Sequence, residues 1–349
     1  MKKVLLGMSG GVDSSVSAIL LKEKGYEVYG VTMKLWEEGA CCNYSATLDA
    51  VKVCNKIGIQ HYTLNYEKLF CERVVDNFID SYRNCITPNP CIECNKYLKF
   101  GAMWDKAKEL GIDYIATGHY AKVEFSEKYN RYVLKKARNI KKDQSYVLYN
   151  IPKDMLENVI FPLGDFEDKE DVREVARQNN LAVASKHDSE DICFIPDGNY
   201  KKFLEENSDL KPKEGNIVNT KGEVLGKHKG LYYFTIGQRK GLGISYKEPL
   251  FVIGFNKNKN EVIVGTKDQI YKKEIIVKDV NLLLIDDIKE PTKVKVKTRY
   301  SANEADATIE KISDNNIKVI FDEPQPRITP GQSAVFYVDD IVLGGGKIV

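Results

Sequence analysis

The chain has 349 residues, of which 43% are hydrophobic and 29% charged, and its formal net charge is +2. These values describe an ordinary soluble protein with enough material for two or three domains. No apolar run reaches the roughly 18 residues of a transmembrane helix, and the amino-terminal run stops at Leu6, too early for a signal peptide, so no membrane association is expected.

Strands and helices alternate over the first third of the chain. Apolar runs predict strands at 3–8, 27–33, 61–66 and 113–118. Helical spacing of apolar residues predicts helices at 13–24, 46–57, 67–82 and 96–109. Strands separated by helices predict a doubly wound parallel sheet, whose ligands bind at the carboxyl ends of the strands.

From about residue 215 onward the pattern changes to short alternating apolar runs separated by Gly, Asn, Asp and Pro. The runs are LYYFTIG (231–237), FVIGF (251–255), EVIVG (261–265), VKVKTRY (294–300), ATIEKI (307–312), KVIFD (318–322) and SAVFYV (333–338). Such runs are typical of a β-barrel or sandwich. We therefore predict an α/β domain at 1–205, a small basic β-rich domain at 206–272 and a β-barrel domain at 273–349.

Residues 211–273 form a basic segment, with 13 Lys or Arg residues against 5 Asp or Glu residues. Such a segment suits a polyanionic partner, although a solvated lysine-rich surface would have the same composition. Arg239 and Lys240 lie here among glycines, where cations on a flexible loop suit a phosphate backbone. A hairpin turn alone would have a similar sequence.

The segment GMSGGVDSS (7–15) links the first predicted strand to the first predicted helix. Adjacent Gly10 and Gly11 allow a tight turn that points backbone amides at an anion, and the amino end of the helix adds a favourable dipole. The lysine of a Walker A loop and the third glycine of a dinucleotide-binding loop are both missing. Asp13 would repel a phosphate unless a metal ion bridged them, so the motif predicts a phosphate site with Mg²⁺. A glycine turn capped by serine is the simpler alternative.

This loop resembles the SGGxDS motif of the PP-loop ATP pyrophosphatases, which adenylate a substrate and release pyrophosphate. Further segments, in order over nearly the whole chain, resemble the tRNA-specific 2-thiouridylases (the MnmA/TrmU family) within that superfamily. They are TPNPCIECNKYLKFG (87–101), ATGHYA (116–121), KKDQSYVLY (141–149), FPLG (161–164), SKHDSEDICFI (185–195), FTIGQRKGLGI (234–244) and TPGQSAVFY (329–337). The resemblance implies an enzyme that adenylates the C2 oxygen of the wobble uridine in the anticodon stem-loop of certain tRNAs and replaces that oxygen with sulfur.

The resemblance also implies roles for matching residues of this chain. The ATP-binding residues would be Gly7, Met8, Ser9, Gly10, Gly11, Val12, Asp13, Ser14, Met33 and Gly118. The tRNA-binding residues would be Asn89, Pro90, Cys91, His119, Lys142, Asp143, Gln144, Arg299, Tyr300 and Gln332. Asp13 would hold Mg²⁺, and a cysteine desulfurase or a sulfur-relay protein would deliver the sulfur as a persulfide.

Some of these residue types have simpler roles when taken alone. His119 at a strand end suits a local hydrogen-bond partner, and Asp143 suits the N-cap of a helix. Arg299 and Tyr300 suit a half-exposed strand, although a cation beside an aromatic ring also suits stacking on an unpaired base.

Eight cysteines and no expected signal peptide predict a reducing cytoplasm, where thiols are more often metal ligands, nucleophiles or core residues than structural disulfides. By motif match, Cys94 is the nucleophile and Cys193 carries the persulfide. Replacing a carbonyl oxygen needs a leaving group such as AMP and a soft nucleophile, and a second thiol resolves the persulfide as a disulfide. The remaining thiols outside these motifs are predicted to be small buried hydrophobic residues: Cys41, Cys42, Cys54, Cys71 and Cys85.

Cys91 departs from the family pattern, which has Asp at this position. A closed zinc site would need a second pair of ligands, which the sequence lacks. Cys91, Cys94 and Cys193 together would supply three thiolates, enough to hold a [4Fe–4S] cluster with one iron open to sulfide. Three alternatives therefore stay open: a persulfide relay, a cluster, and a Cys91–Cys94 disulfide.

Two other functions also stay open at this point. Another PP-loop ligase, such as a GMP or argininosuccinate synthetase, would need neither paired thiols nor basic β domains. A non-catalytic nucleotide- or RNA-binding protein would bind ATP or tRNA but release no pyrophosphate.

Overall fold

Helices and strands alternate in the amino-terminal half and give way to strands further along the chain. The structure is a computed structural model that describes residues 1–36, 44–186 and 192–349. The α-helices are α1 (Val12–Glu23), α2 (Tyr44–Ile57), α3 (Glu67–Phe70), α4 (Asp76–Arg83), α5 (Pro90–Cys94), α6 (Met103–Glu109), α7 (Lys169–Gln178) and α8 (Tyr200–Asn207). The strands are β1 (Lys3–Gly7), β2 (Glu27–Lys34), β3 (Gln60–Asn65), β4 (Tyr114–Ala116), β5 (Ala121–Ser126), β6 (Arg131–Lys136), β7 (Val159–Ile160), β8 (Gly215–Asn219), β9 (Val224–His228), β10 (Phe251–Asn256), β11 (Glu261–Gly265), β12 (Tyr271–Leu282), β13 (Thr292–Lys297), β14 (Ala305–Ser313), β15 (Asn316–Pro326), β16 (Ser333–Val338) and β17 (Ile341–Ile348).

Two helical stretches contain widened π-helical turns. Cys71–Val75 joins α3 to α4, and Asn95–Ala102 joins α5 to α6. Short 3₁₀ turns cover Ser145–Leu148, Lys153–Asn158, Ala182–Ser185, Leu231–Tyr233 and Lys267–Ile270. None of the helices in the described ranges is long and apolar enough to span a bilayer.

A five-stranded parallel sheet in the order β3-β2-β1-β4-β7 forms the amino-terminal part of the chain. Its central strand β1 is apolar, and Val4, Leu5 and Leu6 are fully buried, as expected of a parallel strand covered on both faces. The strand order reverses between β1 and β4, so a crevice opens after the carboxyl ends of these two strands. The predicted doubly wound α/β fold is confirmed.

Six strands close into a barrel at the carboxyl-terminal end. Neighbouring strands follow the order β12-β15-β14-β13-β16-β17, and antiparallel pairing of β12 with β17 closes the ring. Buried side chains such as Ile309, Val319 and Phe336 fill its interior. The predicted carboxyl-terminal β-barrel is confirmed.

A hairpin from the amino-terminal half joins the sheet of the barrel. β5 pairs with β6, and Lys135 of β6 pairs with Ile341 of β17. One hydrophobic core continues across this junction and includes Leu5 of β1, Ile92 of α5 and Val335 of the barrel. The barrel is therefore packed directly on the parallel-sheet part of the molecule.

A four-stranded sheet in the order β10-β11-β8-β9 lies between these two parts in sequence. The prediction of a strand at LYYFTIG is wrong, because Leu231–Tyr233 forms a 3₁₀ turn. Tyr232 is buried in a cluster with residues of the α/β part, whereas Phe234 is buried in the core of the four-stranded sheet. The alternating residues of this run thus serve two separate cores instead of the two faces of one sheet.

The predicted burial of the remaining cysteines holds in part. Cys54 is fully buried, and burial raises the pKa of its thiol to about 11. Cys71 and Cys85 are half-buried. The predictions for Cys41 and Cys42 lie outside the described residues.

Candidate active site

The loop 7–14 follows β1 and turns sharply before α1. Gly10 has a φ of +72°, and a Cβ there would lie 2.2 Å from the carbonyl oxygen of Ala46, so only glycine fits this position. The Met8 carbonyl accepts a hydrogen bond from Thr32 Oγ1 at 2.8 Å, which ties the loop to β2. Contacts on both sides therefore fix the course of the loop.

The first turn of α1 begins at a glycine. Its N-cap is Gly11, which has no side chain to bond the amides of that turn. Ser14 Oγ donates to the Gly11 carbonyl at 3.2 Å and lies 3.3 Å from Ser9 N. A helix end of this kind, with backbone N–H groups and a positive dipole, suits an anion such as a phosphate.

The Asp13 carboxylate faces a lysine and a tyrosine from distant parts of the chain. Lys169 Nζ lies 2.5 Å from Oδ1 and 2.6 Å from Oδ2, and the Tyr120 hydroxyl donates to Oδ1 at 2.8 Å. The side chain of Lys169 is only 12% exposed. Lys169 thus neutralises the negative charge of Asp13, a role that the sequence predicts for Mg²⁺. A metal ion here would share the carboxylate with Lys169.

Two further residues contact this loop from other elements. A Cβ on Gly118, which follows β4, would lie 2.9 Å from Ser14 N, so the backbone after β4 comes close to the first turn of α1 at this glycine. Lys186 Nζ donates to the Gly10 carbonyl at 3.0 Å and to Asp49 at 3.1 Å. The structure therefore brings the predicted ATP residues of 7–14 and Gly118 together and adds a second lysine.

Met33 lies one strand away from this loop. It is the penultimate residue of β2, in register with Leu64 of β3, and it is partly buried. This is the carboxyl end of a strand adjacent to β1, which is where ligands of doubly wound sheets bind. The predicted contact of Met33 with adenine stays a prediction.

The segment 89–94 forms the short helix α5. The Asn89 side chain caps it by accepting a hydrogen bond from Cys91 N at 3.2 Å, and Pro90 occupies its first turn. Cys91 is exposed, whereas Cys94 is 7% exposed. The Cys91–Cys94 disulfide stays an open alternative.

Cys193 belongs to the same hydrophobic cluster as Cys94. It is partly buried next to Phe194, whose ring lies 5.4 Å from that of Phe78, centroid to centroid. Within 1–36, 44–186 and 192–349, no group of three or more His, Cys, Asp or Glu side chains is arranged to hold a metal ion. The structure thus brings the two predicted sulfur-transfer thiols to one cluster without assembling a three-thiolate site. Residues 187–191 of the SKHDSEDICFI segment lie outside the described residues.

His119 is buried and bonded inside the protein. Its Nδ1 lies 2.6 Å from Thr117 Oγ1, and its Nε2 lies 3.4 Å from Lys99 Nζ. Burial, followed by the Lys99 cation, lowers the pKa of His119 well below its ordinary value, so the imidazole is neutral at neutral pH. The simpler role as a local hydrogen-bond partner describes this geometry, and a tRNA contact stays a prediction.

Asp143 is also buried. Its Oδ1 accepts hydrogen bonds from Ala137 N at 2.9 Å and Ser145 N at 3.2 Å, and its Oδ2 accepts one from Ser145 Oγ at 2.7 Å. Burial raises the pKa of Asp143, and these hydrogen bonds oppose the rise. Asp143 therefore bonds Ser145 at the start of the 3₁₀ turn Ser145–Leu148, although the N-cap of that turn is Gln144 and not Asp143. Its neighbour Gln144 accepts a hydrogen bond from Tyr120 N at 2.9 Å, and Lys142 is half-buried.

Arg299 and Tyr300 follow β13 at one end of the barrel. Arg299 donates to the carbonyl of Ile236 at 2.9 Å and so joins the barrel to the four-stranded sheet. Tyr300 is 43% exposed. Burial, then the charges of Asp143 and Cys91, raises the pKa of Tyr300. Tyr300 thus offers an accessible aromatic face at this end of the barrel.

Gln332 contacts the protein at a point close to α5. Its Nε2 donates to the carbonyls of Thr87 at 2.9 Å and Pro88 at 3.1 Å. Both carbonyls immediately precede Asn89, the N-cap of α5. The predicted tRNA contact of Gln332 is untested, whereas its contact with this loop is direct.

Three residues around the loop 7–14 escaped the sequence analysis: Tyr120, Lys169 and Lys186. Tyr120 and Lys186 lie inside segments that carry the family resemblance, and the residues alone gave them no role. For Lys169 the signal was indirect: a phosphate loop without its own lysine needs cations from elsewhere in the chain. Nothing in the local pattern around 169 says that this lysine is the one.

Family models match the chain in three consecutive stretches. They are described as tRNA methyl transferase HUP domain (residues 2–197), tRNA methyl transferase PRC-barrel domain (201–266) and Aminomethyltransferase beta-barrel domain (272–348). The chain is 52% identical over 354 residues to the tRNA-specific 2-thiouridylase MnmA of Clostridioides difficile (strain 630), covering 99% of this chain and 98% of that protein. It is 50% identical over 355 residues to the tRNA-specific 2-thiouridylase MnmA of Clostridium beijerinckii, covering 99% and 98% of the two chains.

A solved structure shows a more remote similarity. The U34-tRNA thiolase NcsA from Methanococcus maripaludis with its [4Fe-4S] cluster matches with a TM-score of 0.37 and 19% identity, over 60% of this chain and 67% of that one. A similarity this remote does not carry the cluster over to this chain.

Proposed function

Because the chain belongs to the family of tRNA-specific 2-thiouridylases, we propose that it is an ATP-dependent tRNA sulfurtransferase that converts the wobble uridine of its tRNA substrates to 2-thiouridine. The observation that carries this proposal is the extent of the match: 52% identity covers 99% of the chain and so includes the loop 7–14, α5 and the barrel. A PP-loop ligase with another acceptor would share only the first of these features.

ATP would bind over the loop 7–14 at the start of α1. The backbone amides after Gly10, the dipole of α1 and the ammonium groups of Lys169 and Lys186 would offset the charge of the phosphates. The Asp13 carboxylate suits Mg²⁺, an oxygen-seeking ion that would add positive charge at the phosphates. The uridine C2 oxygen would attack the α-phosphorus, pyrophosphate would leave, and the C2 oxygen would become the leaving group AMP.

Sulfur transfer would use the two thiols of the cluster around Phe78. The terminal sulfur of a persulfide on Cys193 would bond to C2, and the C2–O bond would break as AMP departs. The Cys94 thiolate would then attack Cys193 Sγ, which breaks the persulfide bond, leaves its electron pair on the sulfur now attached to C2, and forms a Cys94–Cys193 disulfide. A thiol reductant would restore both cysteines before the next turnover.

The iron–sulfur alternative is not favoured. A cluster would need Cys91, Cys94 and Cys193 to converge, yet the described residues hold no such group of three ligands. Cys94 is buried in a hydrophobic cluster, whereas Cys91 is exposed. The exposed side chains of Cys91 and Tyr300 would instead meet the flipped base.

The basic 211–273 segment and the barrel would bind the anticodon stem-loop. Arg239 and Lys240 are exposed and would meet phosphates, while Tyr300 would stack on an unpaired base. A persulfide-donating protein would load Cys193 in a reducing cytoplasm, where the thiols stay reduced.

The test uses protein purified anaerobically, in iron-reconstituted and iron-free forms. Each form receives ATP, Mg²⁺, unmodified tRNA and either a desulfurase with cysteine or sulfide, and mass spectrometry of digested nucleosides measures 2-thiouridine. We expect equal yields from both forms with the desulfurase. A product that forms only with iron would replace the persulfide route by the cluster. Cleavage of ATP to AMP without thiolated tRNA would show that the acceptor is wrong.

A further inference from the structure

The barrel contacts the loop that leads into α5 through its backbone and one amide side chain. Thr87 N donates to the Pro330 carbonyl at 3.1 Å, and Gln332 Nε2 donates to the carbonyls of Thr87 and Pro88. Three hydrogen bonds from one barrel loop thus hold the two residues before Asn89, the N-cap of α5. The start of the helix is fixed from outside its own domain.

The approach between these two loops is very close. Gly331 has a φ of +89°, and a Cβ there would lie 2.1 Å from Ile86 Cγ2. A side chain at this position would therefore push the barrel loop away from the segment before α5. Glycine allows the backbone contact at Pro330 and Thr87.

An ion pair holds the other end of α5. Glu93, the residue before Cys94, has a side chain that is only 7% exposed, and its Oε1 lies 2.8 Å from Lys347 Nζ on β17 of the barrel. A buried carboxylate requires a partner, because desolvation without one strongly disfavours the charge. Lys347 meets this need from the barrel, one residue away from the predicted nucleophile.

We propose that Glu93, Gln332 and Lys347 are positioning residues that let the barrel set the orientation of α5 and hence the placement of Cys94. The inference rests on the proposed function, in which the barrel binds tRNA and Cys94 completes sulfur transfer. A base presented by a tRNA on the barrel then meets a thiol held by that same barrel. Displacements of about 1 Å change the rates of such positioned reactions by as much as a hundredfold.

The experiment compares Lys347→Met with the double variant Glu93→Gln/Lys347→Met. Lys347→Met leaves a buried carboxylate uncompensated beside Cys94, and we expect the single-turnover rate of thiolation at saturating tRNA to fall by about tenfold to a hundredfold. The KM for tRNA should stay within about twofold. The double variant removes both charges and should recover most of the rate, since no unpaired charge remains.

A second readout follows Cys94 directly. The rate of alkylation of Cys94 by iodoacetamide, resolved by peptide mass spectrometry, should change in Lys347→Met and return in the double variant. The matched control is Lys311→Met, which breaks ion pairs with Asp287 and Asp314 elsewhere on the barrel and should alter neither rate. If Lys347→Met does not fold, Gln332→Ala probes the same contact by removing two hydrogen bonds, with a smaller loss of rate expected.

Each outcome has one meaning. A lower melting temperature with unchanged thiolation and alkylation rates would reduce the contact to a structural one and overturn the inference. A rise in KM alone would make Lys347 a tRNA ligand instead. If the wild-type protein thiolates no tRNA, the proposed function is wrong. The alkylation rates would still show whether the barrel positions Cys94.

Discussion

The proposed active site has a nucleotide end, the loop 7–14, and a thiol end, the cluster that holds Cys94 and Cys193, and the two are built in different ways. The loop 7–14 is set by β1, α1 and Gly118 within one parallel sheet, so its geometry follows from short-range rules about strands, glycines and helix ends. The thiol end gathers α5, the 192–195 segment and the barrel, and its key contacts join residues as distant as Glu93 and Lys347. Nucleotide binding, which is common to a superfamily, can thus depend on local structure. Sulfur transfer, which is particular to one family, depends on how the domains pack.

The largest expected effect tests the thiol end. Cys94→Ser and Cys193→Ser should each lower the rate of tRNA thiolation by at least about a thousandfold, because a hydroxyl replaces the thiolate that forms or breaks the sulfur–sulfur bond. Release of pyrophosphate with tRNA present should persist, since adenylation needs neither thiol. Parallel assays of 2-thiouridine and pyrophosphate measure the two steps. Cys71→Ser is the matched control, and loss of pyrophosphate release in Cys94→Ser would mean that the two ends are not separable.

A second test breaks the nucleotide end. Gly10→Ala should weaken ATP binding by at least about a hundredfold, because its Cβ would collide with the Ala46 carbonyl and force the loop to move. Gly25→Ala separates this clash from backbone strain, since Gly25 has a φ of +81° with nothing within 4 Å of its Cβ. It should lower the free energy of unfolding by about 1 kcal/mol and leave ATP affinity unchanged. Isothermal titration with ATP and urea unfolding measure both quantities. An equal loss of ATP affinity in Gly10→Ala and Gly25→Ala would show that the collision with Ala46 is not the cause.

The cation beside Asp13 gives a third, smaller effect. Lys169→Met should slow pyrophosphate release by roughly tenfold to a hundredfold, the range for one hydrogen bond to a charged group. The variant lacks the ammonium group that would contact the phosphates of ATP. Lys122→Met is the matched control, because Lys122 pairs with the exposed Asp165 in the same half of the chain. A normal rate in Lys169→Met would restrict Lys169 to holding Asp13.

The smallest effect concerns stability as a function of pH. The pKa of His119 in the folded state lies below its ordinary value of 6.5, so the unfolded chain takes up the proton first as the pH falls. The stability linked to neutral His119 is therefore complete above pH 6.5 and decreases below it, by at most about 1.4 kcal/mol per pH unit. Urea unfolding at several pH values measures the slope, and His119→Gln should flatten it more than His228→Gln. Equal slopes in wild type and His119→Gln would assign the pH dependence to other groups.

The sequence predicts the residues of the nucleotide end better than the side-chain environments that depend on packing between distant segments. Gly10 and Gly11 could be assigned to a phosphate loop because a strand, a tight turn and a helix end leave few alternatives, whereas Gly118 was assigned by its match to the family. Asp143 and His119 were matched to tRNA, yet their side chains are buried with partners such as Ser145 and Thr117. Motif position tells which residues a family keeps, but the direction of a side chain depends on packing between distant segments.

The same reason explains the residues that the sequence left out. The pairing of Lys169 with Asp13 and of Lys347 with Glu93 joins residues that are far apart in the sequence, and a lysine in either local context resembles a solvated surface residue. The LYYFTIG run predicts a strand because alternation alone cannot tell the two faces of one sheet from two separate cores. Such information becomes available only when the segments are assembled.

The junction between the β5–β6 hairpin and β17 affects how the protein is made. Lys135 emerges from the ribosome long before Ile341, its partner across the junction, so a nascent chain must hold this strand edge unpaired while the rest is translated. Part of the first core, including Leu5 and Ile92, also waits for Val335 of the barrel. Completion of the fold is therefore a late, non-local event, and a chain cut short before the barrel would expose the apolar surface that the barrel covers.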